Sequence, residues 1–220
     1  MKTGGQILFC PGDPGVGKTV LSSIVIDYLY CEFQKLDIQD KDNFGIAYLY
    51  CNFNRKAEQQ AEDLLISILK QLSHHRPSLP GCVKTLYDIC NLRRRRPSLD
   101  EISEALYSVA SLYSRVFIIV DALDECQAGG CRTRLLKDIF ELKTRSGANI
   151  FTTSRFIPEI TENFQVGKSL CRKIHASKED IERYLDGQMR ELSFDDWSPQ
   201  LQTEIKSAIS DSVDGMYVVR

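Results

Sequence analysis

Residues 12 to 19 read GDPGVGKT, and the apolar run ILFC at residues 7 to 10 lies directly before them. The segment matches the pattern G-x-x-x-x-G-K-S/T, in which glycines let the backbone wrap around a polyphosphate with its N–H groups pointing inward. Apolar residues recur over a helical length from residue 20 to residue 29. A strand, a phosphate-binding loop and a helix are therefore predicted in succession. The predicted binding residues are Gly12, Asp13, Pro14, Gly15, Val16, Gly17, Lys18, Thr19 and Val20.

Two side chains of this loop carry specific chemistry. Lys18 is expected to reach the β- and γ-phosphates, and the Thr19 hydroxyl is expected to ligate Mg²⁺. The predicted ligand is a nucleoside triphosphate with Mg²⁺, either ATP or GTP, since these residues do not contact the base.

The composition excludes several classes of protein. The chain has 220 residues, a hydrophobic fraction of 43% and a formal net charge of −2, which argues against a surface that binds nucleic acid directly. No apolar stretch reaches the length of a membrane span, and the N-terminus lacks the order of a signal peptide. We expect a cytoplasmic protein.

Eight cysteines raise the question of a disulfide framework or a zinc site. No C-x-x-C pair exists, and Cys126 and Cys131 are the closest pair in the sequence. Free buried thiols are therefore expected.

An acidic segment follows the strand predicted at residues 116 to 120, VFIIV, and reads DALDE. Asp121 comes at the carboxyl end of that strand, where α/β folds place their ligands, and is the expected Mg²⁺ partner of Thr19. Asp124 and Glu125 lie one turn further and are candidates for activating the attacking water.

An arginine follows a further predicted strand, NIFTT at residues 149 to 153. Arg155 ends the sequence TTSR and is expected at the same edge of the sheet as Asp121. A guanidinium there can bind the γ-phosphate in a bidentate manner, so Arg155 joins Asp124 and Glu125 as a predicted catalytic residue.

Strand and helix patterns alternate along the rest of the chain. Strands are predicted at residues 46 to 53 and 170 to 174, and helices at about 57 to 72 and 83 to 92. Ser98 and Glu101 form a capping box that starts another helix. This order is typical of a parallel sheet between helical layers. Two amphipathic helices near the end of the chain predict the opening of a small helical domain.

Together, GDPGVGKT, DALDE and TTSR resemble a NACHT-type NTPase of the STAND class, closest to fungal proteins of the NOD-like-receptor type that often carry ankyrin or WD40 repeats. The segments HASKEDIERYLDGQM, from His175, and VDGMY, from Val213, resemble the region after the sheet in those proteins. The resemblance implies an α/β fold, a P-loop NTPase three-layer sandwich with a parallel central sheet. It divides the chain into an NTPase core at residues 1 to 176 and a truncated helical subdomain at residues 177 to 220.

The resemblance also implies a molecular switch in innate-immunity signalling. Such proteins exchange a diphosphate for a triphosphate, form homo-oligomers through the NTPase domain, and hydrolyse the γ-phosphate slowly as a reset. Because the sequence begins just before the first strand and stops before any winged-helix segment, the effector and repeat domains are expected to lie elsewhere in the same polypeptide.

Two other functions fit the same motifs. A metabolic P-loop kinase would need an arginine-rich lid, for which the basic run at residues 93 to 96 is the candidate, although a solvated loop end explains it more simply. The other alternative is an interaction scaffold in which bound nucleotide stabilises the fold and is not hydrolysed.

Overall fold

A computed structural model describes residues 4–55, 59–127, 129–167, 169–175, 178–191 and 198–212. Its centre is a parallel sheet of five strands in the order β2-β3-β4-β1-β5. The strands are β1 (Ile7–Pro11), β2 (Phe44–Tyr50), β3 (Arg115–Asp121), β4 (Asn149–Ser154) and β5 (Leu170–Cys171). The α/β prediction with a parallel central sheet is confirmed.

Helices cover both faces of the sheet. The helices are α1 (Lys18–Gln34), α2 (Ile38–Lys41), α3 (Ala61–His74), α4 (Gly81–Leu92), α5 (Leu99–Ser111), α6 (Gly130–Ser146), α7 (Pro158–Val166), α8 (Lys178–Glu191) and α9 (Pro199–Ser212). Buried residues of α1 pack on one face, and those of α3, α5, α6 and α7 pack on the other. This arrangement is the predicted three-layer sandwich.

Alternation along β3 explains why both faces are apolar. Val116, Ile118 and Val120 belong to the core shared with α3, α5 and α6, whereas Phe117 and Ile119 face the core beneath α1. Because successive side chains of a strand point to opposite faces, a continuous apolar run can serve two cores at once.

Three predicted boundaries differ from the observed ones. β2 ends at Tyr50, which pairs with Asp121, the last residue of the neighbouring strand β3. Residues 53 to 55 form a 3-10 turn instead of continuing the strand. The helix expected from about residue 57 begins at Ala61. β5 spans two residues, and one further bridge joins Ile174 to Gly12. The sheet can extend only as far as both partners offer hydrogen bonds.

The helical segment after the sheet consists of α8 and α9, which contact each other. Leu185 of α8 is buried, and Lys206 of α9 forms an ion pair with Asp186. The segment VDGMY lies outside the described residues. Among the described residues, every helix is too short or too polar to cross a membrane.

Candidate functional site

The loop between β1 and α1 has the backbone shape that its glycines predict. Gly15 and Gly17 adopt positive φ angles of 76° and 89°, a conformation that residues with a Cβ rarely tolerate. A Cβ on Gly12 would lie 2.9 Å from the carbonyl oxygen of Ile174, so this position has no room for a side chain. Because α1 begins at Lys18, its first N–H groups face the loop.

Lys18 reaches back across this loop. Its ammonium group donates hydrogen bonds to the carbonyl oxygens of Gly12 at 3.0 Å and Asp13 at 2.8 Å. Partial burial lowers the pKa of Lys18, and the nearby carboxylate of Asp124 opposes that shift. The site therefore holds a partly desolvated cation beside the first N–H groups of α1, a combination that attracts phosphate.

Asp121 ends β3 and is 2% exposed. Its carboxylate accepts three hydroxyl hydrogen bonds, from Thr19 at 2.7 Å, Ser22 at 2.6 Å and Thr153 at 2.7 Å. Because the Thr19 hydroxyl hydrogen points at Asp121, the lone pairs of the Thr19 oxygen are directed elsewhere and can meet a cation. The predicted metal pair thus lies in direct contact.

Ser22 and Thr153 are residues of this site that the sequence motifs do not include. Ser22 comes three residues after Thr19, a spacing that places both on one side of α1. Thr153 lies near the carboxyl end of β4, which pairs in parallel with β3. The ends of parallel strands meet at one edge of the sheet, so Thr153, like Arg155, is expected near Asp121. Both signals are present in the sequence, but serines and threonines are too common to be selected by them.

The acidic turn after β3 gives its two carboxylates different partners. The Asp124 side chain, 5% exposed, accepts a hydrogen bond from the backbone N–H of Arg155 at 2.9 Å and forms an ion pair with the Arg155 Nε at 3.1 Å. Glu125 accepts one from the backbone N–H of Phe53 at 3.2 Å and borders two cavities. Ala122 starts the turn with a positive φ of 52°. Both side chains border the same cavity, Asp124 paired with an arginine and Glu125 with a backbone N–H.

A cavity of about 730 Å³ lies over the loop. Its lining residues are Pro14, Gly15, Val16, Gly17, Lys18, Thr19, Val20, Leu21, Ile24, Ala122, Asp124, Glu125, Arg155, Ile174, His175 and Tyr184. The volume falls within the range of ligand sites, about 300–1,000 Å³. The polar groups gather at the loop and at the ends of β3 and β4, and α1 contributes an apolar wall.

The structure brings the predicted loop, acidic and arginine residues to one edge of the sheet. The basic run at residues 93 to 96 does not join them, since it contributes nothing to the described lining of the cavity. Within that run, Arg95 forms a two-point ion pair with Glu101, the capping residue of α5. The solvated-loop interpretation accounts for this pairing better than a lid does.

A parallel sheet with a glycine-rich loop before α1 and an aspartate at the end of β3 defines the P-loop NTPase fold. Residues 1–155 match the family described as nephrocystin 3, N-terminal, and the chain belongs to that family. A search of curated proteins found no significant match.

Solved structures show the same fold at low sequence identity. The ORC1 protein of Aeropyrum pernix, solved in complex with DNA, is similar with a TM-score of 0.56 and 14% identity over 99% of this chain and 51% of that chain. A Walker-type ATPase of Pyrococcus abyssi is similar with a TM-score of 0.55 and 14% identity over 96% of this chain and 59% of that one. The chain thus spans between half and three fifths of these structures.

Proposed function

We propose that this chain is a nucleoside-triphosphate switch that binds Mg²⁺ with ATP or GTP and hydrolyses the γ-phosphate slowly. The observation that carries the proposal is the contact between Thr19 and Asp121, at 2.7 Å, with Thr19 and the neighbouring Lys18 both in the lining of the cavity over the loop. A cation-binding hydroxyl, a buried carboxylate and a phosphate-binding lysine have this arrangement in P-loop NTPases.

The residues fit a magnesium ion. Mg²⁺ prefers oxygen ligands and binds through one or two protein groups together with substrate phosphates. Thr19 would hold the ion directly, and Asp121 would orient the Thr19 hydroxyl and add negative charge behind it. When bound, Mg²⁺ neutralises charge on the β- and γ-phosphates.

Lys18 and the loop would bind the polyphosphate. The ammonium group now donates to the carbonyl oxygens of Gly12 and Asp13, and phosphate oxygens would take their place as acceptors. Val20, which is 64% exposed, lies with Ile24 and Tyr184 in the same cavity lining and would provide an apolar surface for the base.

The hydrolytic roles follow from the hydrogen bonds of the acidic turn. Glu125 is the proposed general base, because it lines the cavity over the loop and its Oε2 accepts a hydrogen bond from the Phe53 N–H. Asp124 positions Arg155, and Arg155 would contact the γ-phosphate. A γ-phosphate would compete with Asp124 for the guanidinium, so the pair can report which nucleotide is bound.

The finer parts of the proposal rest on the resemblance to NACHT proteins of the NOD-like-receptor type. On that interpretation the protein signals in the cytoplasm, forms homo-oligomers when activated, and carries effector and repeat domains in the same polypeptide. The chain then divides into a core at residues 1–176 and a helical subdomain at residues 177–220. One solved structure of this fold holds DNA. The net charge of −2 argues against direct binding of nucleic acid by this chain.

The test combines binding and turnover. Fluorescent ATP and GTP analogues are titrated with Mg²⁺, and phosphate release is measured in single-turnover reactions for the wild type, Glu125→Gln and the control Glu162→Gln on the exposed surface of α7. We expect unchanged binding in both variants and at least about a tenfold loss of turnover in Glu125→Gln alone.

Each rival function predicts another result. Phosphate release that requires an added acceptor would indicate a kinase, and tight binding without turnover, even at high protein concentration, would indicate a scaffold. Failure of both analogues to bind would refute the nucleotide-switch proposal.

A further inference from the structure

Three thiols meet behind the acidic turn. Cys51 follows β2, Cys126 follows the 3-10 turn at residues 123 to 125, and Cys131 lies in the first turn of α6. The Sγ atoms of Cys126 and Cys131 are 3.4 Å apart, and the Cys51 thiol also hydrogen-bonds to Cys126. Cys31 and Cys171 lie apart from this cluster and are exposed, so the prediction of buried thiols is wrong for these two.

Cys131 connects this cluster to solvent. Cys126 is 3% exposed, whereas Cys131 is partly exposed and lines a cavity of about 360 Å³. Gln127 and Gly130, which flank the two cysteines in the chain, line the same cavity. A small oxidant can therefore approach the pair through this cavity, whose described lining shares no residue with the cavity over the phosphate-binding loop.

The surroundings of Cys126 favour its thiolate. The pKa of Cys126 is lowered, chiefly by the hydrogen bond from Cys51, and the hydrogen bond from Cys131 and the charge of Arg132 act in the same direction against the effect of burial. Arg132 is itself buried and forms an ion pair with Glu159 at 2.8 Å. The thiolate is the nucleophilic form of cysteine.

We infer that Cys126 and Cys131 form a reversible disulfide when the protein meets a peroxide, and that this bond slows the nucleotide site by pulling on the acidic turn. The contact distance, the cavity beside Cys131 and the position of Cys126 next to Glu125 support this inference. The disulfide is independent of the proposed function, whereas the effect on hydrolysis rests on it.

The reaction balances with hydrogen peroxide as the oxidant. The Cys126 thiolate attacks one peroxide oxygen, the O–O bond breaks, and hydroxide leaves to give a sulfenic acid. The Cys131 sulfur then attacks the Cys126 sulfur, the S–S bond forms, the S–O bond breaks, and water leaves with the Cys131 proton. Two thiols are oxidised, and the peroxide is reduced to water.

Bond formation must move at least one of the two sulfurs. The present separation of 3.4 Å exceeds a disulfide length of about 2.05 Å by about 1.4 Å. Cys126 belongs to the core together with Leu123, and Cys131 packs against the same core from the first turn of α6. The turn that carries Cys126 and the start of α6 therefore share the movement, and the adjacent Glu125 moves with the turn. A misplacement of about 1 Å in a catalytic group can cost up to about a hundredfold in rate.

Tryptic mass mapping tests the bond directly. Cleavage after Arg115 and Arg132 yields a peptide, residues 116 to 132, that contains Cys126 and Cys131 and no other cysteine. In protein treated with hydrogen peroxide and then alkylated, we expect this peptide to carry no alkyl group and to lack two hydrogens. Reductant should restore two alkylation sites. Cys131→Ser should abolish the disulfide, and Cys31→Ser, at the exposed cysteine of α1, should not.

The outcomes are distinct. A link between this peptide and the peptide at residues 42 to 55, which carries Cys51, would overturn the pairing, as would oxidation to sulfinic acid without any disulfide. The same oxidised sample should hydrolyse nucleotide at least about tenfold more slowly, with recovery on reduction. An unchanged rate would overturn the regulatory part. A disulfide in protein that binds no nucleotide would instead leave the modification standing and refute the proposed function.

Discussion

Asp121→Asn is expected to weaken the Mg²⁺-dependent part of nucleotide binding and to leave the rest of binding unchanged. The substitution keeps the shape of the side chain but replaces one carboxylate oxygen by an NH₂ group, which donates hydrogen bonds and cannot accept them. Thr19, Ser22 and Thr153 all donate hydroxyl hydrogens to this carboxylate at 2.6 to 2.7 Å. At least one of these three hydrogen bonds is therefore lost.

The size of the effect follows from the position of Thr19. If the NH₂ group faces Thr19, the Thr19 hydroxyl must turn and accept, so only one of its two lone pairs is left to ligate Mg²⁺ and the hydroxyl hydrogen takes the place of the other. A hydrogen bond to a charged group contributes about 1.5–3 kcal/mol. Loss of one such interaction at the metal site corresponds to a dissociation constant about tenfold to a hundredfold higher.

The assay is a titration with a fluorescent ATP or GTP analogue, in Mg²⁺ and in a chelator, on wild type, Asp121→Asn and Asp27→Asn. Asp27 is exposed on α1 and provides the same change of charge outside the site. Thermal unfolding of each variant checks that Asp121→Asn is folded. Equal dissociation constants in Mg²⁺ for wild type and folded Asp121→Asn would refute the argument that Asp121 orients the Thr19 hydroxyl.

Four further predictions concern the loop and the fold. Lys18→Ala should weaken triphosphate binding about tenfold to a hundredfold in the same titration, since it removes an interaction of about 1.5–3 kcal/mol. An unchanged dissociation constant would contradict the phosphate-loop assignment. Gly12→Ala should lower the free energy of unfolding by about 1–3 kcal/mol in chemical denaturation, because its Cβ would meet the Ile174 carbonyl oxygen at 2.9 Å. Wild-type stability would show that the segment around Ile174 yields easily. Ser98→Ala should cost about 1 kcal/mol by loss of the α5 cap. The hydrogen bond from Arg95 lowers the pKa of Glu101 from 4.5 to about 2, so the ionised Glu101 stabilises the fold above pH 4.5 and this stabilisation is lost as the pH falls towards 2. Glu101→Gln should flatten that part of the curve of unfolding free energy against pH.

Local sequence patterns were sufficient for much of the fold. The run from residue 7 to residue 29 defines a strand, a loop and a helix that lie next to each other in the chain, so neighbouring residues alone determine them. The capping box of Ser98 and Glu101 is local in the same sense, and the structure confirms it. The position of Asp121 at a strand end also follows from one apolar run and the residue after it.

Strand ends were less predictable because they depend on a partner strand. Residues 51 to 53 continue the aromatic pattern of β2, yet β2 ends at Tyr50 since β3 ends opposite it at Asp121. The sequence of β2 contains no information about where β3 stops.

The amino-acid sequence by itself determined the phosphate-binding loop, the order of strands and helices, and the residue types available at the edge of the sheet. The tertiary structure decided how those residues are paired. Thr19 and Asp121 are 102 residues apart in the chain, and Asp124 and Arg155 are 31 apart. The other two hydroxyls that donate to Asp121, those of Ser22 and Thr153, come from α1 and β4. Such contacts depend on the packing of distant segments, and the burial of Asp121 at the end of β3 strengthens the hydrogen bonds that it accepts.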